Sequence, residues 1–182
     1  MKCPICRHQS MVTVNLEDGP KAYHCGACEG DWIMANDYEY WLASREVAEE
    51  SAHPLTQFEI QDSPVPKLCP TCRQILFKYR VRQDIQFHLD HCRGCGGVWF
   101  DKDEWKVLRS VNLHDEFYKI FTRAWQEKLK QLDQRDNFAK LYRDRFGEDD
   151  YAELRKIKAW VEAHPHQQLI LGYLTSEDPY RP

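Results

Sequence analysis

The chain has 182 residues, of which 30% are charged, with a formal net charge of −4 and a mean hydropathy of −0.71. This composition argues against a single large apolar core, whereas 13% aromatic residues, six of them Trp, suffice for compact local cores. No apolar run approaches the roughly 20 residues that cross a bilayer, and no apolar signal region precedes the first cysteine. We therefore expect a cytoplasmic protein with no membrane partner.

Residues 1–50 predict a first small module. Two Cys-x-x-Cys knuckles, one beginning at Cys3 and the other at Cys25, enclose 18 residues with a turn signal at 18–20. The alternation at 11–14 and the segment 22–24 predict the two strands of a β-hairpin. Asn36 or Asp37 is the expected N-cap of a short helix that follows.

Residues 51–66 predict an acidic, proline-containing linker, because they hold three Pro and no basic side chain.

Residues 67–110 then repeat the first module. Two further knuckles enclose 19 residues, with strands expected over 75–81 and 85–89 and a helix starting near Asp101 or Asp103. Corresponding positions, including Gly30 with Gly97, are offset by 66 before the hairpin and 67 after it. The repeat predicts two separate modules.

Residues 111–182 contain no cysteine and predict a helical C-terminal domain. Helical spacing of apolar residues starts at Leu113, is interrupted at 133–137 and resumes in another phase. Gly147 is a predicted helix end, and the acidic residues 148–150 suit the first turn of the next helix. Pro165 suits the first turn of a final short helix. The fold class is thus a small metal-stabilised α+β protein with an all-α C-terminal region of about three helices.

All eight cysteines fall in four Cys-x-x-Cys pairs, which in a reducing compartment indicates metal binding before disulfides. Thiolates favour zinc, and structural zinc sites take four tetrahedral ligands. We expect two zinc ions, one per module, with a redox-responsive release of zinc as an open alternative. The candidate ligands are Cys3, Cys6, Cys25 and Cys28 in the first module and Cys69, Cys72, Cys92 and Cys95 in the second.

The second copy, Cys69–Leu108, resembles the bacterial transcription factor IIB-type zinc-ribbon domain. That pattern is Cys-Pro-x-Cys, a hairpin, then Cys-x-x-Cys-Gly-Gly-x-Trp and an acidic-capped helix. The first copy departs from it, since Glu29 replaces the first glycine and Asp31 an apolar residue. The resemblance covers roughly the first 110 residues and implies a zinc-ribbon fold held by the four cysteines of each copy. The family name also implies nucleic acid.

The expected function is that of a non-catalytic adaptor, because no nucleophile elbow, phosphate loop or His-Glu-x-x-His pattern is present. No small-molecule substrate is inferred. The acidic net charge favours a protein partner. Nucleic acid is the alternative partner, through a basic strip in which Lys78, Arg80 and Arg82 share one strand face and Arg93 lies nearby. Trp32 and Trp99 could stack on bases, but core packing is the preferred interpretation.

Overall fold

The computed structural model describes residues 1–7, 9–45 and 62–180. Contacts divide the chain into two compact units, Met1–Lys130 and Gln131–Pro182. Most of the predicted linker, residues 51–61, lies outside the described residues. Within the described ranges, none of the helices combines the length and the apolar character that a membrane span needs.

The first ribbon contains the predicted hairpin, a third strand and a helix. Their bounds are β1 Val12–Asn15, β2 Lys21–His24, β3 Asp31–Ile33 and α1 Ala35–Ser44. The predicted cap at Asn36 or Asp37 is wrong, because the chain enters the helix directly from β3. Met34 is the N-cap residue, and no side chain caps the helix.

The second ribbon has the same order of elements. Their bounds are β4 Phe77–Arg80, β5 His88–His91, β6 Val98–Phe100 and α2 Glu104–Ser110. Asp103 is the N-cap of α2, as expected. The strand predicted at 85–89 begins later, because Ile85 and Phe87 are buried core residues of the connecting loop.

The two ribbons form one six-stranded sheet in the order β1-β2-β3-β6-β5-β4. The third strands β3 and β6 pair antiparallel, and Trp32 lies directly opposite Trp99. The prediction of two separate modules is therefore wrong in this respect. A third strand paired on one side only would present an open edge, and each ribbon covers that edge of the other.

One face of the sheet packs against α1, α2 and a short 3-10 helix at Phe117–Phe121. Phe117 and Ile120 are fully buried, and the ring of Phe117 lies 4.3 Å from that of Tyr38. Trp125 donates from Nε1 to the carbonyl oxygen of Val81 at 2.8 Å. The first compact unit consequently extends to Lys130, beyond residue 110, where the repeat ends.

The C-terminal region contains three α-helices, as expected. Their bounds are α3 Arg123–Phe146, α4 Glu148–Ala163 and α5 Gln167–Thr175. Gly147, with a φ of 84°, separates α3 from α4. The polar residues 133–137, which interrupt the apolar spacing in the sequence, are exposed or half-buried, and the α3 backbone continues through them.

Candidate metal centres

Four cysteine sulfurs converge within each ribbon. The Sγ atoms of Cys3, Cys6, Cys25 and Cys28 lie within 4.8 Å of one another, as do those of Cys69, Cys72, Cys92 and Cys95. Closest separations include 3.6 Å between Cys3 and Cys28 and 3.3 Å between Cys72 and Cys92. None of the eight forms a disulfide. A tetrahedron with Zn–S bonds of about 2.3 Å has sulfurs about 3.8 Å apart, so the residues fit zinc.

The first knuckle of each ribbon aims backbone N–H groups at a sulfur. The amide of Cys6 lies 3.3 Å from the Sγ of Cys3, and the amide of Cys72 lies 3.3 Å from the Sγ of Cys69. Donors at these positions stabilise a thiolate by charge-assisted hydrogen bonding. The two ribbons thus prepare equivalent sites for a divalent cation.

Each of the four knuckles is followed by a residue in the left-handed region. The second ribbon places Gly96 there, with a φ of 73°, whereas the first ribbon places Glu29 there, with a φ of 57°. A non-glycine residue in this conformation costs about 1–2 kcal/mol. The departure of the first copy from the zinc-ribbon pattern therefore preserves the turn but strains it.

Burial affects the protonation of the cysteines. Cys3, Cys25, Cys69 and Cys92 are buried, whereas Cys72 is exposed. Burial raises the pKa of Cys3 to about 11 and that of Cys69 to about 12. These thiols hold their protons until a divalent ion displaces them, so zinc uptake releases protons and becomes tighter as pH rises.

The tryptophan of each ribbon packs on a glycine of the other ribbon. A Cβ at Gly30 would lie 2.2 Å from Cζ2 of Trp99, and a Cβ at Gly97 would lie 2.2 Å from Cζ2 of Trp32. Both rings are fully buried, in one cluster with four of the cysteines. The expected core packing is observed, and neither ring face is open to a base. The Gly-x-Trp repeat joins the two metal sites into one body.

A buried charge network distinguishes the second ribbon. The Nζ of Lys67 donates to Asp90 at 2.5 Å and to Asp101 at 3.0 Å, and all three side chains are buried. Asp101 also accepts from Nε1 of Trp99 at 2.6 Å. The cost of removing these charges from water is offset only when every partner is present, so loss of one partner leaves an uncompensated buried charge.

Sequence reasoning missed this network, although the repeat contained a signal for it. Lys67, Asp90 and Asp101 occupy positions that the first ribbon fills with Met1, Tyr23 and Met34. A charged residue where the other copy is uncharged indicates a contact specific to one copy. Consistent with this, Nε1 of Trp32 is buried without a hydrogen-bond partner among the described residues.

Glu104 is buried beside this network and makes the folding stability of the ribbons depend on pH. Its Oε2 accepts from the amide of Asp101 at 2.9 Å, and burial raises its pKa well above the usual 4.5. Because the folded chain holds this proton more tightly than the unfolded chain, the stabilisation is complete below pH 4.5 and is lost as pH rises through the folded pKa.

We expect Glu104→Gln to flatten the decline of stability that the wild-type chain shows as pH rises above 4.5, because the amide keeps an acceptor and cannot ionise. Urea unfolding of the zinc-loaded chain, with zinc content checked at each pH, measures this. Glu39→Gln, at an exposed position on α1, is the matched control. Equal pH slopes in the wild-type and Glu104→Gln chains would contradict the assignment.

The predicted basic strip lies partly on one sheet face. Lys78 and Arg80 alternate along β4 and share that face, as expected, while Arg82 lies beyond the strand end. The carboxylate of Asp62 accepts hydrogen bonds from Lys78 and, at 2.9 Å, from Nδ1 of His88. The segment that precedes the second ribbon therefore engages this face.

The other cations of the strip also have internal partners. Arg82 donates to both carboxylate oxygens of Asp84, at 2.6 Å from its Nε. The Arg93 guanidinium lies 4.1 Å from the ring centroid of Phe77, and its Nε donates to the hydroxyl of Tyr79 at 2.8 Å. Arg82 and Arg93 on this sheet surface therefore already have partners within the protein.

The family model described as a transcription factor zinc-finger, the zinc ribbon of the transcription factor IIB type, matches residues 2–44 and 68–108. No curated protein and no solved structure matches the chain. The two matched segments coincide with the two ribbons, and each contains one group of four convergent sulfurs. The chain therefore carries two tandem zinc ribbons of the transcription factor IIB type and binds two zinc ions, one in each ribbon.

Proposed function

We propose that this chain is a non-catalytic interaction protein whose helical region recruits a protein partner, while the double ribbon supplies a rigid, zinc-braced body. The eight cysteines would be the zinc ligands, four to each ion. Four sulfur ligands complete a tetrahedral zinc site and leave no position for a reacting water or substrate. A reducing compartment such as the cytoplasm suits cysteines that serve as thiolates.

The observation that carries the proposal is an apolar groove between α4 and α5, within the second unit. It has a volume of about 880 Å³, and none of its lining side chains is charged. Trp160 is 57% exposed and Leu169 is 73% exposed, whereas Val161 is the one buried apolar residue in the described part of this unit. Contiguous exposed apolar surface of this kind marks interaction sites.

The groove best fits an amphipathic helix of a partner protein. Helix-in-groove recognition places apolar side chains at helical spacing into a concave apolar surface. The absence of charge in the lining leaves a charged ligand without a partner there, so a charged small molecule or nucleic acid is a poor match. Trp160 and Tyr173 would be the aromatic anchors of the contact.

We expect the double variant Trp160→Asp/Leu174→Asp to lose the partner, at a cost of about 2 kcal/mol or more in binding free energy. Leu141→Asp, at an exposed apolar position of α3 outside the groove, is the matched control. Quantitative capture with the zinc-loaded chain identifies the protein that is lost, and titration with that purified protein measures the affinity.

Two outcomes would contradict this proposal. One is equal capture by the groove variant and the control. The other is a concentration-dependent dimer in light scattering that the groove variant abolishes, which would make the occupant a second copy of the chain. A shortened chain for the same assay should end at Lys130, because Phe117 and Ile120 complete the core of the first unit.

A further inference from the structure

A second groove, between α3 and α4, differs in chemistry from the apolar one. It has a volume of about 660 Å³, and we call it the arginine–aromatic groove after six of its lining residues. Three of these are arginines and three are aromatic: Arg135, Arg143, Arg155, Phe138, Tyr142 and Tyr151. All of them belong to the second compact unit.

The aromatic rings form a partly exposed row along the groove. The centroid of the Tyr142 ring lies 6.5 Å from that of Phe138, 5.8 Å from that of Phe146 and 6.2 Å from that of Tyr151. Phe138 is 58% exposed and Tyr142 is 44% exposed. Both rings therefore present part of their surface to solvent, where a planar ligand can contact them.

In the part of the chain that the structure describes, no carboxylate forms an ion pair with the arginines of this groove. Among the described residues, which include the second unit as far as Tyr180, Arg135, Arg143 and Arg155 have no ion pair. Their neighbours on α4 behave differently, since Lys156 pairs with Glu153 at 3.0 Å and Lys158 pairs with Glu162. Asp136 is the one acidic side chain in the lining. The groove is thus locally cationic in an acidic chain.

We propose that the arginine–aromatic groove binds single-stranded nucleic acid, with phosphates on the arginines and bases against the rings. Cationic side chains interleaved with aromatic rings are the combination that holds single strands without a sequence requirement. An acidic peptide would use the arginines but leave the rings without a stacking partner. The inference does not depend on the protein partner proposed above, because the two grooves have different linings.

The net charge of the chain does not favour binding of a polyanion. Its formal charge is −4, and each zinc–thiolate site adds about −2. General electrostatic attraction to a polyanion is therefore absent, and binding has to come from the groove. With three arginines on three phosphates, the logarithm of the affinity should fall against the logarithm of salt concentration with a slope of about −2.

The test is fluorescence anisotropy of the zinc-loaded full chain with labelled 12-nucleotide single strands, one of RNA and one of DNA, at several salt concentrations. Tyr142→Leu is expected to weaken binding about 5- to 150-fold, while Tyr142→Phe retains it. Arg135→Gln/Arg155→Gln should reduce the slope by about 1.4. Comparing the affinities for the two strands shows whether the groove prefers RNA or DNA.

The matched controls are Lys156→Gln beside Arg155 on α4 and Arg82→Gln on the second ribbon, both of which should bind as wild type. Circular dichroism checks that each variant keeps its helices, and the contrast of Leu with Phe at position 142 separates stacking from folding. Absent binding, equal binding by Tyr142→Leu, or equal loss in the controls would overturn the proposal. So would tighter binding of polyglutamate than of the single strands, which would assign the groove to an acidic peptide.

Discussion

Removing zinc with a chelator is expected to unfold the first unit, Met1–Lys130, in one transition. The sulfurs of four cysteines share a buried cluster with Trp32 and Trp99, so losing either ion exposes the contact that joins the ribbons. A structural zinc site contributes about 10–16 kcal/mol of apparent binding free energy. A whole domain is stable by only about 5–15 kcal/mol, so metal loss exceeds what packing can offset.

Near-ultraviolet circular dichroism and tryptophan emission, recorded against chelator concentration, measure this unfolding. Chelator already saturated with zinc is the control and should leave both signals unchanged. Restoring zinc to the reduced chain should return them. An apo chain that keeps the native tryptophan signals would contradict a metal-dependent fold.

The second large effect is expected from Gly97→Ala, which places a methyl group against the ring of Trp32. The added Cβ would lie 2.2 Å from Cζ2 of that ring, inside a fully buried contact between β3 and β6. Because β3 and β6 are paired with each other, the clash can be relieved only by moving the ring or the sheet. We expect a loss of about 3 kcal/mol or more in the free energy of unfolding, at the upper end for overpacking.

Gly26→Ala is the matched control, since a Cβ there meets nothing within 4 Å. Adding Trp32→Leu to Gly97→Ala removes the ring that clashes and should make the double variant more stable than the sum of the two single losses predicts. Urea unfolding of the zinc-loaded wild type and the four variants measures the free energies of unfolding that these comparisons need. Equal stability of Gly97→Ala and Gly26→Ala, or strict additivity in the cycle, would show that this contact does not dock the ribbons.

The local elements were predictable from sequence because each depends on residues close along the chain. Paired cysteines fix a knuckle, and the turn signal at 18–20 fixes the first hairpin. In the same way, Gly147 and the acidic residues after it correctly mark the boundary between α3 and α4. Each of these signals acts within a few residues.

Contacts between distant segments were not predictable in the same way. The strands β3 and β6 have three residues each, too few for a periodicity to show, so their pairing left no pattern. The burial of both tryptophans was predicted, but not that each ring covers the glycine of the other ribbon. Likewise, the spacing that placed Lys78 and Arg80 on one face could not show that Asp62 engages it.

The zinc content and zinc coordination of the purified chain test the central claim most directly. We predict two zinc ions per chain by elemental analysis, and an X-ray absorption spectrum fitted by four sulfur ligands at about 2.3 Å around each ion. Fewer than two zinc ions, or a nitrogen or oxygen ligand at either site, would contradict the account of two cysteine-held ions in one double ribbon.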